Sequence, residues 1–138
     1  MMKRWIVLLL LLFCISAVQA QEGNILEKVE SSARTWLGLV DSGSYQESWE
    51  NASPLFKEKT SEAAWVKSIT AIRAPRGAMN ARYIATAGST KSLSGLPDGD
   101  YVVLQFYTTF AEKGLALETI TLTKAQDDAW QIAAYEIK

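Results

Sequence analysis

The chain has 138 residues with 14 basic and 15 acidic side chains, a formal net charge of −1, and it contains no histidine and a single cysteine, Cys14. A Ser-His-Asp triad, a His/Cys metal centre and a disulfide framework therefore lack their reagents. The charge is also not the basic footprint of a nucleic-acid binder.

Lys3 and Arg4 precede an apolar run from Trp5 through Ile15, and Val18-Gln19-Ala20 carries the small-residue pattern of a signal-peptidase site. Cleavage after Ala20 is expected, so that residues 1–20 are a secretion signal and residues 21–138 form a single domain of net charge −3. A bilayer takes about 20 apolar residues to cross. The run is shorter, and no stable membrane anchor is expected once the signal is removed. The rival, a lipoprotein acylated on Cys14, places bulky Phe13 where a small residue belongs. A periplasmic or secreted location follows. Without Cys14 the mature chain can form no disulfide and must be held by its core.

From Ile25 the apolar residues recur as Ile25, Leu26, Val29, Ala33, Trp36, Leu37 and Val40, which is one stripe on a 3.6-residue period. The spacing predicts a first helix, with Glu30 and Arg34 paired on its wet side and Gly43 at its C-terminal cap. Ser44-Tyr45-Gln46-Glu47 reads as a capping box opening a short second helix. Pro54 interrupts that helix, and Ser53 with Pro54 starts another turn. Thr60 or Ser61 opens a third helix whose Trp65, Ile69 and Ile72 point at a core, and Arg73-Ala74-Pro75-Arg76-Gly77 ends it.

Past Gly77 the pattern becomes β-branched and aromatic. Met79 to Ala87 is a first strand, and Gly88 to Asp100 is a polar loop ending in a Leu96-Pro97-Asp98-Gly99 turn. Tyr101 to Phe110 is the strongest strand. It places Val102, Leu104, Phe106 and Phe110 on one face, and Tyr101, Val103, Gln105, Tyr107 and Thr109 on the other. Glu112-Lys113-Gly114 turns it into Leu115 to Lys124, where Ala116, Glu118, Ile120 and Leu122 share a face. Gln126-Asp127-Asp128 leads to a last strand, Trp130 to Ile137. About three helices followed by about four strands in hairpins predict an α+β domain, with the helices on one face of a curved antiparallel sheet.

Trp36-Leu37, Asp41-Ser42-Gly43, Tyr45, Ser48-Trp49, Trp65, Arg73, Pro75, Gly77, Arg82, Pro97-Asp98-Gly99, Tyr101, Glu118-Thr119, Trp130 and Tyr135, in that order and spacing, resemble the DUF4019 family. The resemblance covers Ile25 to the C-terminus, with Ala134 standing where the family pattern calls for glycine. It implies an exported or membrane-linked bacterial protein with an NTF2-like or cystatin-like cone. It supplies no reaction, cofactor or catalytic residue.

Glu118 is the most informative position, because the alternation that turns Ile120 and Leu122 inward turns its carboxylate inward too. An ionised carboxylate in an apolar core costs several kcal/mol unless it is paired. Arg73 and Arg82 are the candidate partners, since a guanidinium presents a planar fork to a carboxylate. The alternatives are an unpaired Glu118 with a raised pKa in a dry pocket, or a bulge that leaves it wet. Trp49, Trp65 and Phe106 belong to the same candidate cleft between helices and sheet, although aromatics at such spacing are more often plain core. Asp98-Gly99-Asp100 and Asp127-Asp128 lack the ligand series of a calcium loop and read as turn chemistry. No phosphate-binding glycine loop is present.

Three functions are open on this reading. The first is an exported non-enzymatic domain, with neither metal nor cofactor, that binds a small apolar molecule or a protein partner in or beside the cleft. The second is an isomerase- or dehydratase-like enzyme using Glu118 as general base with Tyr135 or Tyr83 as donor. The third is a structural module that dimerises through the Tyr101/Tyr107 sheet face.

Overall fold

The computed structural model describes residues 23–138, so the expected signal segment lies outside the described residues. Residues 23–41 form helix α1, followed by α2 (Tyr45–Glu50), α3 (Pro54–Lys59) and α4 (Glu62–Arg73). One 3₁₀ turn, Ala74–Arg76, leads into strands β1 (Met79–Thr90), β2 (Tyr101–Phe110), β3 (Gly114–Lys124) and β4 (Trp130–Ile137). The strands make one antiparallel sheet in the order β1-β2-β3-β4. This is the expected α+β arrangement, with helices before a meander of hairpins.

Local chemistry explains most of the boundaries. Gly43 takes φ +78° after α1, while its amide bonds Val40 and that of Ser44 bonds Leu39, closing the helix as glycine-terminated ends do. The Ser53 hydroxyl accepts from the Phe56 amide and the Ser61 hydroxyl from the Ala64 amide, so serines cap α3 and α4. Ser44 corrects the expected capping box. Its hydroxyl is shared with Ser42 and makes no bond to the first turn of α2.

Val29, Ala33, Trp36, Leu37 and Val40 of α1 pack with Ala52, Phe56, Trp65 and Ile69 over Val102, Leu104, Phe106, Ile120, Leu122 and Ile132 of the sheet. Each fully buried large side chain contributes roughly 1.5–3 kcal/mol. Trp36, Phe56, Trp65 and Tyr135 form a mutually contacting aromatic group, with ring centroids 4.9 to 6.2 Å apart. Trp36 donates its indole N–H to the Ser48 carbonyl at 2.7 Å, and Trp65 donates to the Ser48 hydroxyl at 2.9 Å. Both polar handles are thereby satisfied inside the core.

Three expectations are corrected by packing. Ile72 is exposed, because the buried side of α4 advances in steps of four through Trp65 and Ile69 to Arg73. Ile25 and Leu26 are exposed as well. They overhang the part of β1 where Ala87, Gly88 and Ser89 present little side chain. Strand β1 runs three residues further than expected, to Thr90, since Gly88, Ser89 and Thr90 pair with Val103, Val102 and Tyr101. Pairing along a strong partner strand overrides weak local preference. Bulges interrupt β1 at two places and β4 at one, and such bulges bend a strand locally.

Candidate functional site

The inward face of β3 delivers Glu118 to the centre of the domain, where its side chain is 0% exposed. Its Oε1 accepts from Arg82 Nε at 2.8 Å and from the Thr108 hydroxyl, and its Oε2 accepts from the Tyr135 hydroxyl. Arg82 then reaches with its other two nitrogens to Asp41, Nη1 to Oδ2 at 2.7 Å and Nη2 to Oδ1 at 2.9 Å. Arg73 Nη2 donates to the same Oδ1 at 2.9 Å. The result is a chain of alternating charge, Arg73, Asp41, Arg82, Glu118, that is neutral as a unit and, with Thr108 and Tyr135, ties α1 and α4 to all four strands.

The two arginines considered as partners thus divide the work. Arg82 meets Glu118, whereas Arg73 meets Asp41 at the end of α1. The Nε and Nη1 donors of Arg73 are buried with no oxygen in reach, and its guanidinium lies over the Phe110 ring at 4.8 Å. Attraction to the aromatic face compensates in part for those donors.

Burial alone would raise the Asp41 carboxyl, but its hydrogen bonds and charge contact with Arg82, reinforced by Arg73, hold it below the usual carboxylate range. Burial pushes the Tyr135 hydroxyl far above the ordinary tyrosine range, and the Glu118 charge pushes it further. Burial favours deprotonation of Arg82, yet Asp41 and Glu118 overcome that and keep it firmly charged. Asp41, Arg82 and Tyr135 are each held in one protonation state near neutral pH.

A general base must reach the proton it removes. Glu118 is fully enclosed, and both of its oxygens are occupied by donors from the protein itself. Tyr135, named as a possible donor to substrate, donates to Glu118. Tyr83 stands on the solvent side of β1 at 68% exposure, away from Glu118. This geometry argues against the acid-base reading.

The remaining cleft residues are also accounted for by packing. Trp65 belongs to the buried aromatic group, and Phe106 is fully buried opposite Glu118 with the Arg34 guanidinium over its ring at 5.1 Å. Trp49 donates its indole N–H to the Thr60 carbonyl at 2.8 Å under Lys57. These side chains fill the space that a small apolar ligand would need. On the outer sheet face Tyr101 is buried too, its hydroxyl donating to the Pro97 carbonyl of the loop that folds over it. Tyr107 remains open there, beside Tyr83 and Leu115.

Asp41 and Thr108 join the network without having been singled out from the sequence, and a signal for each was present. Thr108 alternates with Phe106 and Phe110, so it must face inward. Asp41 lies one helical turn beyond Leu37, which places its carboxylate beside the buried stripe. The turn readings are matched by turn contacts. Asp127 accepts from the Ala129 amide at 3.2 Å and Asp100 pairs with Lys91. Among the described residues no three His, Cys, Asp or Glu side chains converge as metal ligands. None of the described helices is long and apolar enough to cross a membrane.

Open space lies elsewhere. Clefts of about 560 and 400 Å³ run between α1 and the start of β4, sharing Ser31, Ser32 and Trp130. A third, of about 280 Å³, lies under Ile25 and Leu26.

The chain has no match among curated proteins. Five solved chains match it. One, a 2.5 Å structure from Catenulispora acidiphila, is 14% identical, superposes with a TM-score of 0.53, and is covered over 93% of its length by 86% of this chain. At that identity the likeness shows a shared fold. The family model for DUF4019, protein of unknown function, matches residues 32–135, and the chain belongs to that family.

Proposed function

We propose that the chain is an exported, non-enzymatic binding domain whose contacts with other molecules are made on its surface, beside rather than inside the helix-sheet layer. The observation that carries this reading is the saturation of Glu118, whose two oxygens are taken by Arg82, Thr108 and Tyr135 with no face left for substrate. Open clefts beside α1 and β4 support the same reading. An NTF2-like or cystatin-like cone is the finer fold reading, supported by helices on one face of a bent meander. The test is native mass spectrometry of the protein purified from its own host compartment. A processed N-terminus at Gln21 and a retained small molecule or protein are expected. A bare protein that shows Glu118-dependent turnover overturns the reading.

A second reading, self-association through the outer sheet face, is favoured by Tyr83, Tyr107 and Leu115, which are 68%, 54% and 66% exposed. Sedimentation velocity at high concentration is expected to give a dimer that Tyr107→Lys converts to monomer. A wild-type monomer removes this reading.

A further inference from the structure

We propose that the groove between α1 and β4 is a saccharide site, a deepening of the binding reading that rests on it. The two clefts beside α1 share Ser31, Ser32 and Trp130, so they form one groove with Trp130 common to both halves. Their volumes, about 560 and 400 Å³, lie within the roughly 300–1,000 Å³ typical of ligand clefts.

Trp130 differs from the other tryptophans of the described chain. Trp36, Trp49 and Trp65 each donate their indole N–H to a protein oxygen. Trp130 is half-buried against the core and, among the described residues, its N–H has no protein acceptor. It offers an aromatic surface together with a donor that no described residue occupies. Small side chains at positions 31 and 32 keep the surface of α1 low at this point, which leaves the groove open.

The rest of the lining selects the ligand. Thr35 adds a third hydroxyl on α1, Gln131 contributes an amide, and Asn51, whose Nδ2 donates to the Glu47 carbonyl at 2.9 Å, contributes its amide oxygen. Hydroxyls and amides both donate and accept, as sugar hydroxyls do. The electron-rich face of an indole attracts the polarised C–H face of a pyranose ring. Charge disfavours an anion, because Glu27, Asp128 and Glu47 outnumber Lys28 around the groove. Strand addition by a peptide is obstructed, because the Ile132 carbonyl already accepts from the Ser53 amide at 2.9 Å.

The experiment follows the indole ¹⁵N–¹H resonances of the mature protein during titration with millimolar chitotetraose, cellotetraose and maltotetraose. At least one sugar is expected to shift the Trp130 signal and leave those of Trp49 and Trp65, which line neither cleft, in place. Trp130→Phe assigns the signal. Ser32→Leu fills the groove from the surface of α1 and is expected to weaken binding about tenfold or more without lowering the melting temperature. Three sugars that leave Trp130 unmoved overturn the proposal, as does binding indifferent to Ser32→Leu. A flexible peptide that shifts Trp130 where the sugars do not also overturns it, while leaving the domain a binding module. The broader reading fails by its own measurement, the bare protein with Glu118-dependent turnover.

Discussion

Helix α1 serves two regions of opposite character. Its last residue, Asp41, enters a buried network in which each carboxylate meets at least one arginine. Its middle turns present Ser31, Ser32 and Thr35 to a groove open to solvent. In the first region the carboxylates are spent on arginine and hydroxyl donors, and the contacts specify how six elements meet. In the second the hydroxyl side chains line open space, beside a tryptophan whose N–H has no acceptor among the described residues. Strong charges buried in a fold are therefore a poor guide to where it acts, because burial demands internal partners and internal partners remove reactivity.

The comparison breaks most readily at Arg82. Arg82→Ala leaves Asp41 with Arg73 alone and Glu118 with no cation, and is expected to destabilise by about 3–5 kcal/mol. Glu118→Gln is expected to cost somewhat less, and the double variant less than the two together, because the residues share one contact. Urea denaturation of the four proteins measures the coupling. Strict additivity would separate the pair and deny the network its structural role.

Protonation sharpens the same point. Tyr135 has its hydroxyl raised in the fold, so its contribution is complete below the ordinary value of 10.0 and is lost as pH rises beyond it. Asp41 is lowered, so its contribution is complete above 3.8 and is lost as pH falls through the folded value. Tyr135→Phe is expected to cost roughly 1–3 kcal/mol at neutral pH and to flatten the alkaline side of the stability profile. Circular dichroism across pH distinguishes the two limbs.

Legibility from sequence followed the range of the interactions. Strands β2 and β4 could be read to their ends because alternation and turn residues are local. The inward direction of Glu118 was legible for the same reason. Which arginine would meet it was not, since Arg82 lies 36 positions from Glu118 and 41 from Asp41. That choice depends on how the 3₁₀ turn and β1 fold back beneath α1. The groove was not legible either. Ser31 and Ser32 look like ordinary wet positions on a helix, and only the placement of Trp130 beside them makes a groove.

Gly77 is the hinge of that fold-back, with φ +76° and an added Cβ only 2.7 Å from Glu112 Cγ and 3.2 Å from the Glu112 amide nitrogen. Gly77→Ala is expected to cost about 1–3 kcal/mol, and the loss should shrink in an Arg82→Ala background if the strain is felt at the network. Thermal unfolding of the single and double variants reads this. An undiminished loss would confine Gly77 to local turn geometry.

The smallest effects bear most directly on the groove. Ser48 lies in the core, donating to the Tyr45 carbonyl at 2.6 Å and accepting from Trp65 at 2.9 Å. Its removal strands a buried indole N–H, so Ser48→Ala should cost about 1–3 kcal/mol. Ser31→Ala and Ser32→Ala touch no such partner and should stay within about 0.5 kcal/mol of wild type. The same residue type then has two uses in one domain, and urea midpoints separate them. A groove serine as costly as Ser48 would mean that its hydroxyl is already committed to the fold, and a hydroxyl so committed has nothing left to offer a ligand.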